Sequence, residues 1–286
     1  MNINTSLSHR NKEPENSVLY IVGTPIGNLN DLSLRALNIL KNVSLIACED
    51  TRQTLKLLNR YEITNTLLSY NMHNSQSRIS RIVQDLKDKK SVAIVCDAGM
   101  PGICDPGEDL IKSVKANNLE VICIPGPCAA ITALVSSGLP SSSFIFMGFL
   151  PKKKNERNKF LLEISKSEKT IILYESPNRL KKLLTELRAY CGGNREIQVF
   201  RELTKIHEEN VGSNLNMVLN FFEDQEIRGE ITLVIKGVEK NEKELNNLNL
   251  KQELIELINA GLSLSAASKY LAKKKSVKKS VIYNLY

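Results

Sequence analysis

Two short segments pair a carboxylate with a cation: Glu49-Asp50-Thr51-Arg52 and Arg201-Glu202-Leu203-Thr204-Lys205. In such a segment the cation can hold a phosphate while the carboxylate meets a hydroxyl, which suits proton removal from a weak oxygen nucleophile. Glu49, Asp50, Arg52, Glu202 and Lys205 are therefore the candidate catalytic residues, with His73 and Glu175 as further loop-borne acids or bases. The alternative for both segments is an internal salt bridge that holds loop shape, and for His73 and His207 a satisfied structural histidine. A third segment runs Asp97-Ala98-Gly99-Met100-Pro101-Gly102-Ile103-Cys104-Asp105-Pro106-Gly107, with three Gly and two Pro. Gly lets a ligand approach the main chain and Pro stiffens it, so this is a candidate ligand loop, or else a tight connection that binds nothing.

These segments sit at regular places in a repeating pattern. Short apolar runs at 18–22, 45–48, 67–68, 92–96, 120–124 and 144–147 read as strands. Each ends in a polar or Gly/Pro-rich loop, and helical spacing such as Leu34, Leu37, Leu40 or Ile79, Val83, Leu86 follows most of them. Strand, loop and helix repeated about five times predict an α/β fold with a parallel sheet, whose loops converge on one crevice at the carboxyl ends of the strands. Lys152-Lys153-Lys154 marks a change of composition and a domain boundary. The expected organisation is an N-terminal disordered tail at 1–17, an α/β domain at 18–150, a second α/β domain at 151–239, and a linker with a small basic helical domain at 240–286. In that last part 240–250 reads as linker, Ser263 and Ser276 as helix caps, and Ala266, Ala267, Tyr270, Leu271, Val277, Val281 and Ile282 as one small core. Lys273-Lys274-Lys275 and Lys278-Lys279 suggest a helix-turn-helix-like contact with nucleic acid, the alternative being a solvated helical tail.

The formal charge is +8 over 286 residues and the isoelectric point about 9.1, so an anionic partner is expected, nucleic acid first. Six Cys show no CxxC and no zinc spacing, which suits free thiols in a reducing cytoplasm, a redox or metal role being the alternative. Residues 1–17 lack the apolar stretch of a secretory signal. The uncharged run at 121–151 is broken by Pro125-Gly126-Pro127 and Gly138-Leu139-Pro140 into pieces too short to span a bilayer.

Several stretches, taken together in order, are specific. They are 19–29 (Leu-Tyr-Ile-Val-Gly-Thr-Pro-Ile-Gly-Asn-Leu), Cys48 to Arg52, Asp97-Ala98-Gly99 with Asp105-Pro106-Gly107, Pro125-Gly126-Pro127, Gly148-Phe149-Leu150-Pro151, Tyr174-Glu175-Ser176-Pro177 and Arg201 to Lys205. The set resembles the ribosomal RNA small subunit methyltransferase I family, in the tetrapyrrole methylase superfamily, the class III S-adenosylmethionine (SAM) methyltransferases. The resemblance implies two α/β domains with SAM in the cleft between them, a homodimer, and 2′-O-methylation of a cytidine ribose in the decoding region of small-subunit rRNA. By position it places Ile26, Met100, Ile103, Cys128, Ala129, Tyr174, Leu203 and Thr232 at the cofactor, and no metal. Met100 and Cys104 stand where the family pattern usually has Thr and Ser, and Asn71-Met72-His73-Asn74 departs from its commoner His-Glu-His-Asn. Two other functions compete with this one. One is a methyltransferase acting on a tetrapyrrole; the other is a non-catalytic basic protein that binds RNA or assists ribosome assembly.

Overall fold

The computed structural model describes residues 13–239, 242–275 and 277–286. They form two compact units, one ending at Lys236 and one starting at Gly237. The first unit holds two five-stranded sheets. One contains β1 (Val18–Val22), β2 (Leu45–Cys48), β3 (Leu67–Ser69), β4 (Val92–Val95) and β5 (Glu120–Ile124). All its pairs are parallel, in the order β3-β2-β4-β1-β5. Helices α1 (Leu34–Asn42), α2 (Thr51–Arg60), α3 (Ser75–Lys87) and α4 (Glu108–Ala116) connect the strands.

A strand buried on both faces needs apolar residues at every position, and β1 has them. Val18, Tyr20 and Val22 pack with Ile39 and Leu40 of α1, while Leu19 and Ile21 pack with Ile82 and Leu86 of α3 and Leu110 of α4. Residues 1–12 of the expected tail lie outside the described residues. Residues 13–17 are held rather than loose. The Arg35 guanidinium donates to both oxygens of Glu13, at 2.7 and 2.5 Å, and the Glu15 amide donates to the Tyr20 hydroxyl at 2.7 Å.

The second sheet contains β6 (Phe144–Phe149), β7 (Thr170–Glu175), β8 (Glu196–Arg201), β9 (Glu209–Asn214) and β10 (Ile231–Ile235), in the order β6-β7-β10-β8-β9. Only β6 and β7 are parallel. This moves the expected boundary. The strand at 144–147, read as part of the first sheet, lies in the second, so the crossing falls between α5 (Ala129–Ser137) and β6 rather than at 150. Apolar alternation tells that a segment is a strand; it does not tell which edge the strand joins. The uncharged run at 121–151 becomes β5, α5 and β6, and among the described residues no helix is long and apolar enough to cross a membrane.

One face of the second sheet is covered by α6 (Lys154–Lys166), α7 (Pro177–Cys191) and α8 (Leu215–Phe222), through Leu161, Leu180, Leu184, Leu215 and Phe222. The other face is covered by α5, which belongs in sequence to the first half. Ala130, Ala133 and Leu134 pack on Ile172, Phe200 and Val234, together with Ile26 and Leu203. Each large apolar side chain fully buried there contributes about 1.5–3 kcal/mol. Helix α5 and Ile26 of the first half therefore share a core with the second sheet and cannot part from it without exposing that core.

The second unit contains α9 (Glu242–Asn259), α10 (Leu264–Lys275) and α11 (Lys279–Tyr283). The expected linker at 240–250 is helical from Glu242 onward. Asn costs a helix under about 0.7 kcal/mol per residue, and the packed Leu254 and Leu257 further along can sustain the whole helix. Ser263 caps α10 by accepting from the Ala266 amide at 3.3 Å, as expected; Ser276 lies outside the described residues. Leu254, Ala267, Leu271 and Ile282 form the core, whereas Tyr270, Val277 and Val281 are exposed.

Candidate functional site

The loops after β1, β4 and β5 are locked to one another through main chain. The Thr24 amide donates to the Gly99 carbonyl at 2.9 Å, and the Gly99 amide donates back at 3.0 Å. The buried Thr24 hydroxyl donates to the Cys96 carbonyl at 3.0 Å. Gly23 and Gly126 touch backbone to backbone: a Cβ on Gly126 would sit 2.9 Å from the Gly23 Cα. Three strand ends are thus brought together in a way no side chain would permit.

The second half closes on these loops. The Asn28 amide donates to the Thr204 hydroxyl at 2.9 Å. The Ala130 amide, at the uncapped start of α5, donates to the Tyr174 hydroxyl at 3.1 Å, and burial pushes that phenol up. Phe146 and Phe149 both meet the Tyr174 ring edge-on, with centroids 5.0 and 5.7 Å away. A β-bulge between Phe146 and Gly148 turns the end of β6 toward the loop that carries Cys104.

Between the halves lies one cavity of about 440 Å³, a size suited to a ligand larger than a few waters. All eight residues expected at a cofactor line it: Ile26, Met100, Ile103, Cys128, Ala129, Tyr174, Leu203 and Thr232. Of the five candidate catalytic residues, Glu49 lines it. Asp97, Asp105, Glu175 and Glu230 are the other carboxylates on its wall. Burial pushes the Glu49 carboxyl up and the Asp97 carboxylate adds to this. Burial likewise raises Asp97, and burial with Glu49 and Asp97 nearby pushes Asp105 up to about 6.

Asp50, Arg52, Glu202 and Lys205 are not brought to that wall. Asp50 caps α2 by accepting from the Arg52 amide at 2.8 Å, and it pairs with the Arg52 guanidinium at 2.6 Å. That guanidinium pulls the Asp50 carboxyl down to about 2. Lys205 donates to Glu202 at 2.7 Å and to Glu230 at 2.6 Å, and the Glu230 amide donates to Glu202 at 2.9 Å. These contacts hold Glu202 and Thr204 at φ +55° and +65°, a backbone region most side chains avoid. The loop-bracing alternative describes these four side chains.

Glu175 is fully buried, 3.1 Å from Arg179 and 3.7 Å from Arg157, and accepts from the Ser176 amide at 2.8 Å, so it too is committed to ion pairs. His73 and His207 are exposed and neither lines the cavity.

Sequence reasoning passed over Asp97, Asp105 and Phe149 as individual wall residues. Asp in a Gly/Pro loop usually folds back to cap a helix or turn. Here Gly107 stands at the cap of α4 with no side-chain bond, which leaves Asp105 aside from that task. The Asp105-Pro106-Gly107 order was the available signal.

Over residues 18–217 the chain matches the model of the tetrapyrrole (corrin/porphyrin) methylases. It is 42% identical over 269 residues to the ribosomal RNA small subunit methyltransferase I of Synechocystis sp., covering 94% of this chain and 96% of that protein. The protein of the same name from Thermotoga maritima is 46% identical over 221 residues, 77% of this chain and 99% of that protein. Among solved structures, uroporphyrin-III C-methyltransferase from Thermus thermophilus, complexed with S-adenosyl homocysteine, is similar with a TM-score of 0.54 and 16% identity. That likeness covers 77% of this chain and 96% of that one, and it speaks for the fold. The match over most of the chain and the doubly closed α/β cleft lead to one assignment: the chain belongs to the ribosomal RNA small subunit methyltransferase I family of the tetrapyrrole methylase superfamily, the class III SAM methyltransferases.

Proposed function

We propose that the protein methylates the ribose 2′-hydroxyl of a cytidine in the decoding region of small-subunit rRNA, using SAM, as a cytoplasmic homodimer. The observation that carries this reading is the convergence of Ile26, Met100, Ile103, Cys128, Ala129, Tyr174, Leu203 and Thr232, from both halves, on one cavity. The names of its relatives support the rRNA substrate.

The wall suits SAM chemically. Met100, Ile103, Leu203 and Phe149 offer apolar surface, and Glu49 and Asp97 offer negative charge to a sulfonium cation. When bound, SAM supplies a methyl group already activated for displacement. The chain's task is then to hold donor and hydroxyl in line, which can contribute several kcal/mol. Ile26, Met100, Ile103, Cys128, Ala129, Tyr174, Leu203 and Thr232 hold the donor. Of the predicted catalytic set Glu49 lines the cavity, while Asp50–Arg52 and Glu202–Lys205 fix the loops around it.

The surplus of +5 within 240–286 supports a role for the second unit in gripping rRNA phosphates. Lys274 and Lys275 pair with Glu253, at 3.5 and 2.6 Å, and Lys273 and Lys278 are exposed. Exposed Ile131 and Val135 on α5 and Phe144 on β6 offer apolar surface to a second copy.

A tetrapyrrole substrate is the second reading, favoured by the family's description and the solved neighbour. Labelled methyl transfer to 30S subunits, run beside transfer to uroporphyrinogen, tests the two. Label on rRNA with none on the porphyrinogen is the expected result, and the reverse overturns the proposal.

A further inference from the structure

The carboxylates at the cavity differ in what they are tied to. Glu175 has Arg179 and Arg157, and Glu230 has Lys205. Asp97 accepts from the Asp50 amide at 3.1 Å. Asp105 has no ion pair among the described residues, and it does not cap α4. What acts on it is burial first, and then the like charges of Glu49, Asp97 and Glu230. Tyr174 and Cys104 are also near enough to feel its charge. These groups come from the ends of β2, β4 and β7, from the residue before β10, and from Asp105's own loop, so Asp105 stands where both halves meet. Glu49 is acted on by burial and then most by Asp97 and Asp50, both of the first half.

The loop that carries Asp105 is held firmly. Cys104 sits at φ +63°, the Ile103 amide closes a turn onto the Met100 carbonyl at 3.2 Å, and the Cys96 thiol reaches the Pro106 carbonyl at 3.7 Å. Asp105 therefore lies on the same short segment as Met100 and Ile103, on the wall assigned to the methyl donor. A carboxylate that the fold does not pair with a cation, on a stiff loop at a ligand wall, is available for proton transfer.

We infer that Asp105 is the general base that takes the proton from the ribose hydroxyl, a role that rests on the ribose-methylation reading above. The hydroxyl oxygen forms a bond to the methyl carbon as the carbon–sulfur bond breaks, with its electron pair staying on sulfur. The proton passes to the Asp105 carboxylate and then to solvent. Glu49 and Asp97 are positioning residues in this scheme: their negative charge and the surrounding burial keep Asp105 basic enough to accept a proton near neutral pH, where Asp105 is pushed up to about 6.

The test uses the full-length protein with 30S subunits lacking the modification. Single-turnover methyl transfer is followed from pH 5 to 9, SAM and S-adenosylhomocysteine binding by calorimetry, and the aspartate carboxyls by ¹³C NMR. In the wild type the rate rises with pH through an apparent value near 6, and one carboxyl resonance titrates with it. Asp105→Asn keeps both affinities within about threefold, loses that resonance, and slows transfer by about 10²- to 10⁴-fold with no acidic limb. Asp105→Glu recovers part of the rate and the limb. Glu49→Gln moves the limb to lower pH, because a repelling charge is gone. Unchanged transfer in Asp105→Asn, or its loss together with SAM binding, overturns the assignment; the second result makes Asp105 a cofactor ligand. A wild type that binds SAM yet methylates no ribose overturns the functional reading itself, and the base with it.

Discussion

The Tyr174 hydroxyl accepts a hydrogen bond from the Ala130 amide at 3.1 Å, so a residue of the second sheet caps a helix that belongs in sequence to the first half. Cys128, at the cap position of α5, supplies no side-chain bond, and Tyr174 takes its place. Tyr174→Phe leaves that amide unpaired in a partly buried place. We expect a loss of about 1–2 kcal/mol in urea unfolding and weaker SAM binding. An unchanged midpoint would mean that the bond contributes nothing to closure.

Gly126→Ala tests the contact between loops. The added methyl would stand 2.9 Å from the Gly23 Cα, and backbone cannot swing aside as a flexible side chain can. A cost of about 1–3 kcal/mol is expected, from overpacking, with a large fall in SAM affinity by calorimetry. Gly192→Ala, where nothing lies within 4 Å but φ is +81°, is the control: it brings backbone strain without a clash and should leave affinity alone.

Glu202→Gln separates a brace from a catalytic group. Burial works against the Glu202 charge, but the Lys205 ammonium and the Glu230 amide outweigh it and hold the carboxyl below its usual range. A lowered carboxyl stabilises the fold above its unfolded value, about 4.3, and that stability is lost as pH falls through the folded value. The variant should therefore melt below the wild type at pH 7 and match it near pH 3. Its kcat on 30S subunits should fall by less than about tenfold, against the much larger loss expected at Asp105. A melting curve unchanged at pH 7 with abolished turnover would return Glu202 to the catalytic set.

The second unit should contribute affinity without sequence reading. Lys273→Ala and Lys278→Ala should each flatten the slope of log K against log salt by about 0.7–0.9 for rRNA binding, while SAM affinity stays constant. Equal slopes would place the RNA grip elsewhere.

The fold class and much of the cavity wall were legible because both rest on local features. Val18 to Val22 is apolar at every position because both faces of the sheet are covered, and Gly23, Gly99 and Gly126 mark the places where loops meet. The membership of β6 was not legible, since Phe144 to Phe149 carries the same pattern whichever sheet it joins. Nor did the charges tell their own use. Asp50 and Arg52 are two residues apart, which serves a helix cap as well as it would a phosphate clamp, and Lys205 finds Glu230 only because β10 returns beside β8. Asp105 was obscured for the opposite reason: in Asp105-Pro106-Gly107 the sequence offers a turn, and only the fold shows that Gly107 takes the cap and leaves the carboxylate at the wall.

The central claim is that one cavity, built from both halves, delivers a methyl group to a ribose of small-subunit rRNA. The most direct measurement is transfer from methyl-labelled SAM to 30S subunits taken from cells without the gene, with the labelled nucleotide located by mass mapping. The account predicts a single 2′-O-methylated cytidine in the decoding region, formed by the wild type and lost with Asp105→Asn. Label on a base, on another RNA or on no RNA at all would contradict it.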